Sequence, residues 1–142
     1  MATKADFTDA QWQELRFAIQ DTMAFVAFAN GTGFWESIKE ATQTAKYISV
    51  QIRESRSTLV RDLAGAGGSR HEKLDPSDAE AFERQVLGTI AEATKIVAET
   101  APDELDAFKG FVLGVANAAA EASGAVDDGE QLAIDKIKSA LL

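Results

Sequence analysis

Cysteine is absent from the 142 residues, histidine and tyrosine occur once each, and proline occurs twice. Without cysteine there is no disulfide, no thiolate metal site and no cysteine nucleophile, a usage that fits a reducing cytoplasm. The lone His71 cannot supply the paired Glu-x-x-His motifs of a di-iron bundle. It stands beside Arg70 and Glu72 in a glycine-rich stretch, with no structured serine partner, and reads as a solvated loop residue. Neither a G-x-S-x-G elbow nor a phosphate loop is present, because Gly65-Ala-Gly-Gly-Ser-Arg70 lacks the Lys-Ser/Thr pair that holds phosphate. No catalytic set can be assembled, so the expectation is a protein that is not an enzyme and carries no cofactor. Apolar runs fall short of the roughly 20 residues of a membrane span. Residues 1–7 lack the apolar centre of a secretory signal. No stretch alternates with a period of two, so no sheet is expected.

What is present is enough to fold. Hydrophobic residues make up 46% and charged residues 26% of the chain, which excludes wholesale disorder. The net charge of −9 is unevenly spread. Residues 1–45 carry 3 basic and 6 acidic side chains, residues 46–73 carry 6 and 3, and residues 74–142 carry 5 and 14. The acidic C-terminal half repels phosphate backbones and anionic lipid, so neither nucleic acid nor a membrane surface is expected as a partner.

Helical spacing runs through the chain. Thr8-Asp9-Ala10-Gln11 has the form of a capping box, and Phe7 and Trp12 stand at the two ends of a hydrophobic staple, which predicts a helix from Asp9. Trp12, Leu15, Ile19, Met23 and Val26 trace its apolar stripe, widened by Phe25 and Phe28, and Asn30-Gly31-Thr32-Gly33 ends it. A second helix is predicted from Phe34, with Ile38, Ala41, Ala45, Ile48 and Ile52 inward. The Ser- and Arg-rich stretch 49–57 predicts a fray, kink or break. A short helix over Thr58–Leu63 then leads into a flexible glycine-rich loop near 65–73. Asp75-Pro76 and the box Ser77…Glu80 both predict a helix start; Phe82, Val86, Thr89, Ala93, Ile96 and Thr100 form its buried face. A tight turn at Pro102 opens a fifth helix through Leu105, Phe108, Val112, Val115, Ala119 and Ala122. There Asp103 and Glu104 favour the positive end of the helix dipole. Asp127-Asp-Gly-Glu130 leads into a last helix with Ile134, Ile137 and Leu141. The fold class is therefore all-α, a single-domain bundle of about five to six helices.

Residues 15–31 align on 108–124 without a gap, each ending in alanine, a polar cap and glycine. The two ends thus read as pseudo-symmetric helical hairpins, or as two Ala-rich amphipathic helices that align by composition alone. The stretch Phe111-Val-Leu-Gly-Val-Ala-Asn-Ala-Ala-Ala-Glu-Ala-Ser-Gly124, followed by Val126–Glu130 and Ile134–Leu141, resembles the TerB-like (tellurite-resistance) helical domains. That resemblance implies an all-helical fold and a role in bacterial stress response. The family's loop acid is replaced here by Asn30 in one copy and Ser123 in the other, which does not carry over a metal site.

Four sets of residues are candidate sites. Asp127, Asp128 and Glu130 offer three carboxylates to a hard cation, although helix capping explains the same residues. Trp12, Phe25, Phe28, Trp35, Phe108 and Phe111 are candidates to line an apolar ligand pocket between the hairpins. Arg53, Arg56 and Arg61 form a candidate anion or partner patch, Arg53 and Arg56 sharing a face if the helix is continuous; internal pairing with Glu54, Asp62 or the acidic half is the alternative. Gly110-x-x-x-Gly114 removes bulk from the fifth helix and invites close approach by helix 1 or 4, or by a second copy in a homodimer. The reading that follows is a cytoplasmic helical protein-interaction module, with binding of a small apolar ligand or divalent metal as the alternative.

Overall fold

The structure, a computed structural model, describes residues 3–29, 45–66, 79–121 and 128–142. Its order begins with local chemistry at Thr8. The Thr8 hydroxyl accepts the Gln11 N–H at 3.1 Å while the Gln11 side-chain oxygen accepts the Thr8 N–H at 2.9 Å, and the expected box is closed in both directions. Phe7 meets Trp12 with ring centroids 6.0 Å apart, which sets the angle at which the chain enters helix α1, Asp9–Ala29.

From there Trp12, Leu15, Ala18, Ile19, Thr22 and Val26 turn inward at steps of three and four. α1 is the central rod: it packs most extensively on α4 (Ala79–Thr100), then on α5 (Leu105–Glu121) and α6 (Asp128–Ala140). Phe108, Ile90, Val112 and Ile137 meet it in the centre with no exposed surface. Each side chain of this kind contributes about 1.5–3 kcal/mol by leaving water. No strand occurs among the described residues, and the architecture is an all-α bundle. Residues 15, 18, 19, 22 and 26 of α1 and their counterparts 108, 111, 112, 115 and 119 of α5 are all buried.

Several local expectations change. Residues 45–54 are helical (α2), 55–57 are not, and α3 is Thr58–Ala66, so the weak stretch is a true break. Ala45 and Ile52 face out, and α2 packs inward through Tyr47 and Ile48. α3 runs on through Gly65 and Ala66, which the glycine-rich loop was expected to claim. Residues 67–73 lie outside the described residues, as do the cap candidates at 30–33, 75–78 and 122–127 and the start of the second helix at Phe34. In α4 the inward face is completed by Ile90, Thr94 and Val97, whereas Thr100 is exposed because the helix ends there. Ala101 then closes the turn, its N–H donating to the Val97 carbonyl at 2.8 Å, before a 3₁₀ turn over Pro102–Glu104.

Glu104 is not a surface acid at its own helix start. It is buried and accepts a hydrogen bond from the Ser57 hydroxyl, which in turn accepts the Val60 N–H at 3.1 Å as the cap of α3. One acid thus faces the positive end of a helix from a distant part of the chain. The glycine pair also behaves differently from expectation. A Cβ at Gly110 would meet open space, while one at Gly114 would overlap the ring of Tyr47. The close approach is made by a side chain of α2, not by the backbone of α1 or α4.

Candidate functional site

The seam between α1 and α3 holds two hollows. At its outer end the 3₁₀ turn Lys4–Asp6 is tied down, because the Thr3 N–H donates to Asp6 at 2.8 Å and the Lys4 N–H donates to the Asp62 carboxylate at 3.1 Å. Asp62 therefore anchors the start of the chain to α3. Between these elements lies an open groove of about 430 Å³ lined by Lys4, Trp12, Arg16, Arg61, Asp62, Gly65 and Ala66. The helical period explains the lining: Trp12 and Arg16 are four apart on α1, and the pairs 61/65 and 62/66 are four apart on α3. Gly65 and Ala66 carry too little side chain to fill the seam. Among the described residues the lining carries the side chains of Lys4, Arg16 and Arg61 and the carboxylate of Asp62, in a chain whose net charge is −9.

One turn deeper lies a second, more enclosed cavity of about 120 Å³. It is lined by Arg16, Ile19, Gln20 and Met23 from α1, Ile48 from α2, Leu63 and Ala64 from α3, and Phe111 from α5. Its surface is mostly apolar, and Arg16 belongs to both hollows. A third hollow of about 360 Å³, lined by Lys46, Tyr47, Val50, Ala118 and Glu121, offers one charge of each sign.

The candidate residues distribute as follows. Trp12, Phe25, Phe108 and Phe111 are buried but do not share one pocket. Trp12 packs on Phe7, Phe25 on Phe82 with centroids 6.2 Å apart, and Phe111 under the stacked ring of Tyr47 at 6.1 Å. Phe111 alone of the set reaches the apolar cavity and Trp12 alone the outer groove; the Phe28 side chain and Trp35 lie outside the described residues. Arg53, Arg56 and Arg61 are exposed, and the break at 55–57 puts them on α2, the linker and α3, so the continuous-helix face expected for Arg53 and Arg56 does not exist. Of the three, Arg61 enters the groove. Asp127 lies outside the described residues, and Asp128 and Glu130 fall in the first turn of α6. Among the described residues no group of three or more metal-ligating side chains converges.

Nothing in the sequence pairs Lys4 and Arg16 with Arg61, because the positions are far apart in the chain and only the docking of the 3₁₀ turn and of α1 on α3 brings them to one groove. Burial pushes the Tyr47 phenol above its ordinary value of 10.0. Among the described residues no helix is long and apolar enough to cross a membrane. No family model, curated protein or solved structure matches the chain.

Proposed function

We propose that the protein is a non-enzymatic helical interaction module that receives an acidic partner protein in the groove between α1 and α3. The observation that supports this reading is the grouping of Lys4, Arg16 and Arg61 around Trp12 on a chain that is otherwise strongly acidic. Such a groove attracts negative charge while the acidic remainder turns nucleic acid and anionic lipid away. Arginine is also among the residues that dominate binding energy in protein interfaces.

The TerB-like resemblance suggests that the module serves a stress response, and the matching burial of 15–26 and 108–119 is in keeping with two related hairpins. A cytoplasmic setting suits a chain without cysteine. The test is affinity capture with the wild-type protein and with Arg61→Glu. A partner recovered in near-stoichiometric amount by the wild type and lost by the variant is the expected result. Equal recovery by both forms, or copurification of a small molecule with no protein, would contradict the reading.

A further inference from the structure

Helix α2 is held to the bundle differently from its neighbours. None of its described residues, 45–54, is buried, whereas α3 buries Leu59, Val60, Leu63 and Ala64. We infer that α2 is a strap that lifts from the bundle as a unit about the break at 55–57, with Tyr47 as its latch. Its release uncovers Phe111 and the apolar side chains beside it. No described residue of α2 lines the groove between α1 and α3, so the strap stands or falls apart from that groove.

Two half-buried side chains, Tyr47 and Ile48, make the inward contact. The Tyr47 ring stacks on Phe111 with centroids 6.1 Å apart, and its hydroxyl end takes the place that a Cβ at Gly114 would occupy. Gly114 is thus what lets the latch close. Unfilled space flanks this contact on both sides. On one side is the cavity of about 120 Å³, where Ile48 is the part of α2 that reaches the wall. On the other is the hollow of about 360 Å³, with Lys46, Tyr47 and Val50 facing Ala118 and Glu121. Dispersion attraction falls steeply across such gaps, so little besides the Tyr47 seat opposes separation. The pivot is fixed, by contrast. Ser57 is buried, donates its hydroxyl to Glu104 and accepts the Val60 N–H at 3.1 Å, so movement of α2 stops there. The last bond of α2 runs from the Ser55 N–H to the Gln51 carbonyl at 3.1 Å, and residues 55–57 belong to no helix. Bending between them breaks no helical hydrogen bond.

Native-state hydrogen exchange of the full chain, followed amide by amide by NMR through low urea concentrations, tests the strap. Helical stability comes mostly from the packing of one face, so a lifted α2 loses its protection. Amides 49–54 are expected to share one opening equilibrium, to exchange at least about a hundredfold faster than those of Leu15 and Ile90, and to depend less on urea. Gly114→Ala should bring amides 49–54 to within about tenfold of the unprotected rate while Leu15 and Ile90 stay protected at least about a thousandfold. Tyr47→Ala lifts the latch from the other side and should give the same pattern; it serves if Gly114→Ala fails to fold by circular dichroism. Amides 49–54 that exchange with the free energy and urea slope of Leu15 and Ile90 make α2 part of the cooperative core and overturn the strap. Protection of α2 retained in both variants overturns the latch. Loss of protection at Leu15 and Ile90 together with α2 in both variants, or no protection of α2 in the wild type, overturns it equally.

Discussion

The Ser57 hydroxyl donates to the Glu104 carboxylate across 47 positions of sequence, in a place where both residues are buried. The same hydroxyl accepts the Val60 N–H, so one atom caps α3 and holds it to the start of α5. Removing it takes away a helix cap and leaves a buried carboxylate without its donor.

Ser57→Ala is therefore expected to lower unfolding free energy by roughly 2–4 kcal/mol, about 1 from the cap and the rest from the stranded carboxylate. Glu104→Gln retains an acceptor and should cost less. Urea titrations of the three proteins read the difference. A Ser57→Ala loss below about 0.5 kcal/mol would contradict the link.

Two glycines one turn apart on α5 should respond with opposite sign. Gly110→Ala enters open space and gains helix propensity, so it is expected to stabilise by up to about 1 kcal/mol. At Gly114 the same change forces the Tyr47 ring off its seat on Phe111 and should destabilise by about 1–3 kcal/mol despite the better propensity. Thermal melts that move both variants in the same direction would remove the Tyr47 contact from the account.

Tyr47 is the only tyrosine, so its phenolate absorbance reports a single site. Its burial favours the neutral form and raises the value in the fold above 10.0. Stability tied to this group is fully present below the unfolded value of about 10 and is lost as pH rises through the higher folded value. Spectrophotometric titration should place the native midpoint above that in denaturant, and Tyr47→Phe should remove this part of the alkaline loss. A native midpoint at or below the denatured one would show that the ring is not buried against α5.

The parts of this structure that were legible in the sequence are those that depend on near neighbours. Thr8 with Gln11 and Phe7 with Trp12 interact within one helical turn, so spacing sufficed to foresee both. The inward faces of α1, α5 and α6 followed from period alone. The remaining features depend on which elements meet. Glu104 looks like a first-turn acid until α3 is brought to it, and Gly114 looks like a helix contact until Tyr47 covers it. Six aromatics looked like one pocket because sequence carries no record of direction; those described pack on separate neighbours. Of the arginines, Arg53 and Arg56 were linked by a helix that breaks between them, whereas Arg61 gained Lys4 and Arg16 as companions through the α1–α3 packing.

The most direct measurement of the central claim is an amide chemical-shift titration of the labelled protein with a Glu-rich peptide. Saturating shifts that cluster at Lys4, Trp12, Arg16 and Arg61–Ala66, and that weaken with salt and with Arg61→Glu, are the predicted result. Shifts confined to the exposed side of α6 around Leu132, or no shifts at saturating peptide, would contradict it.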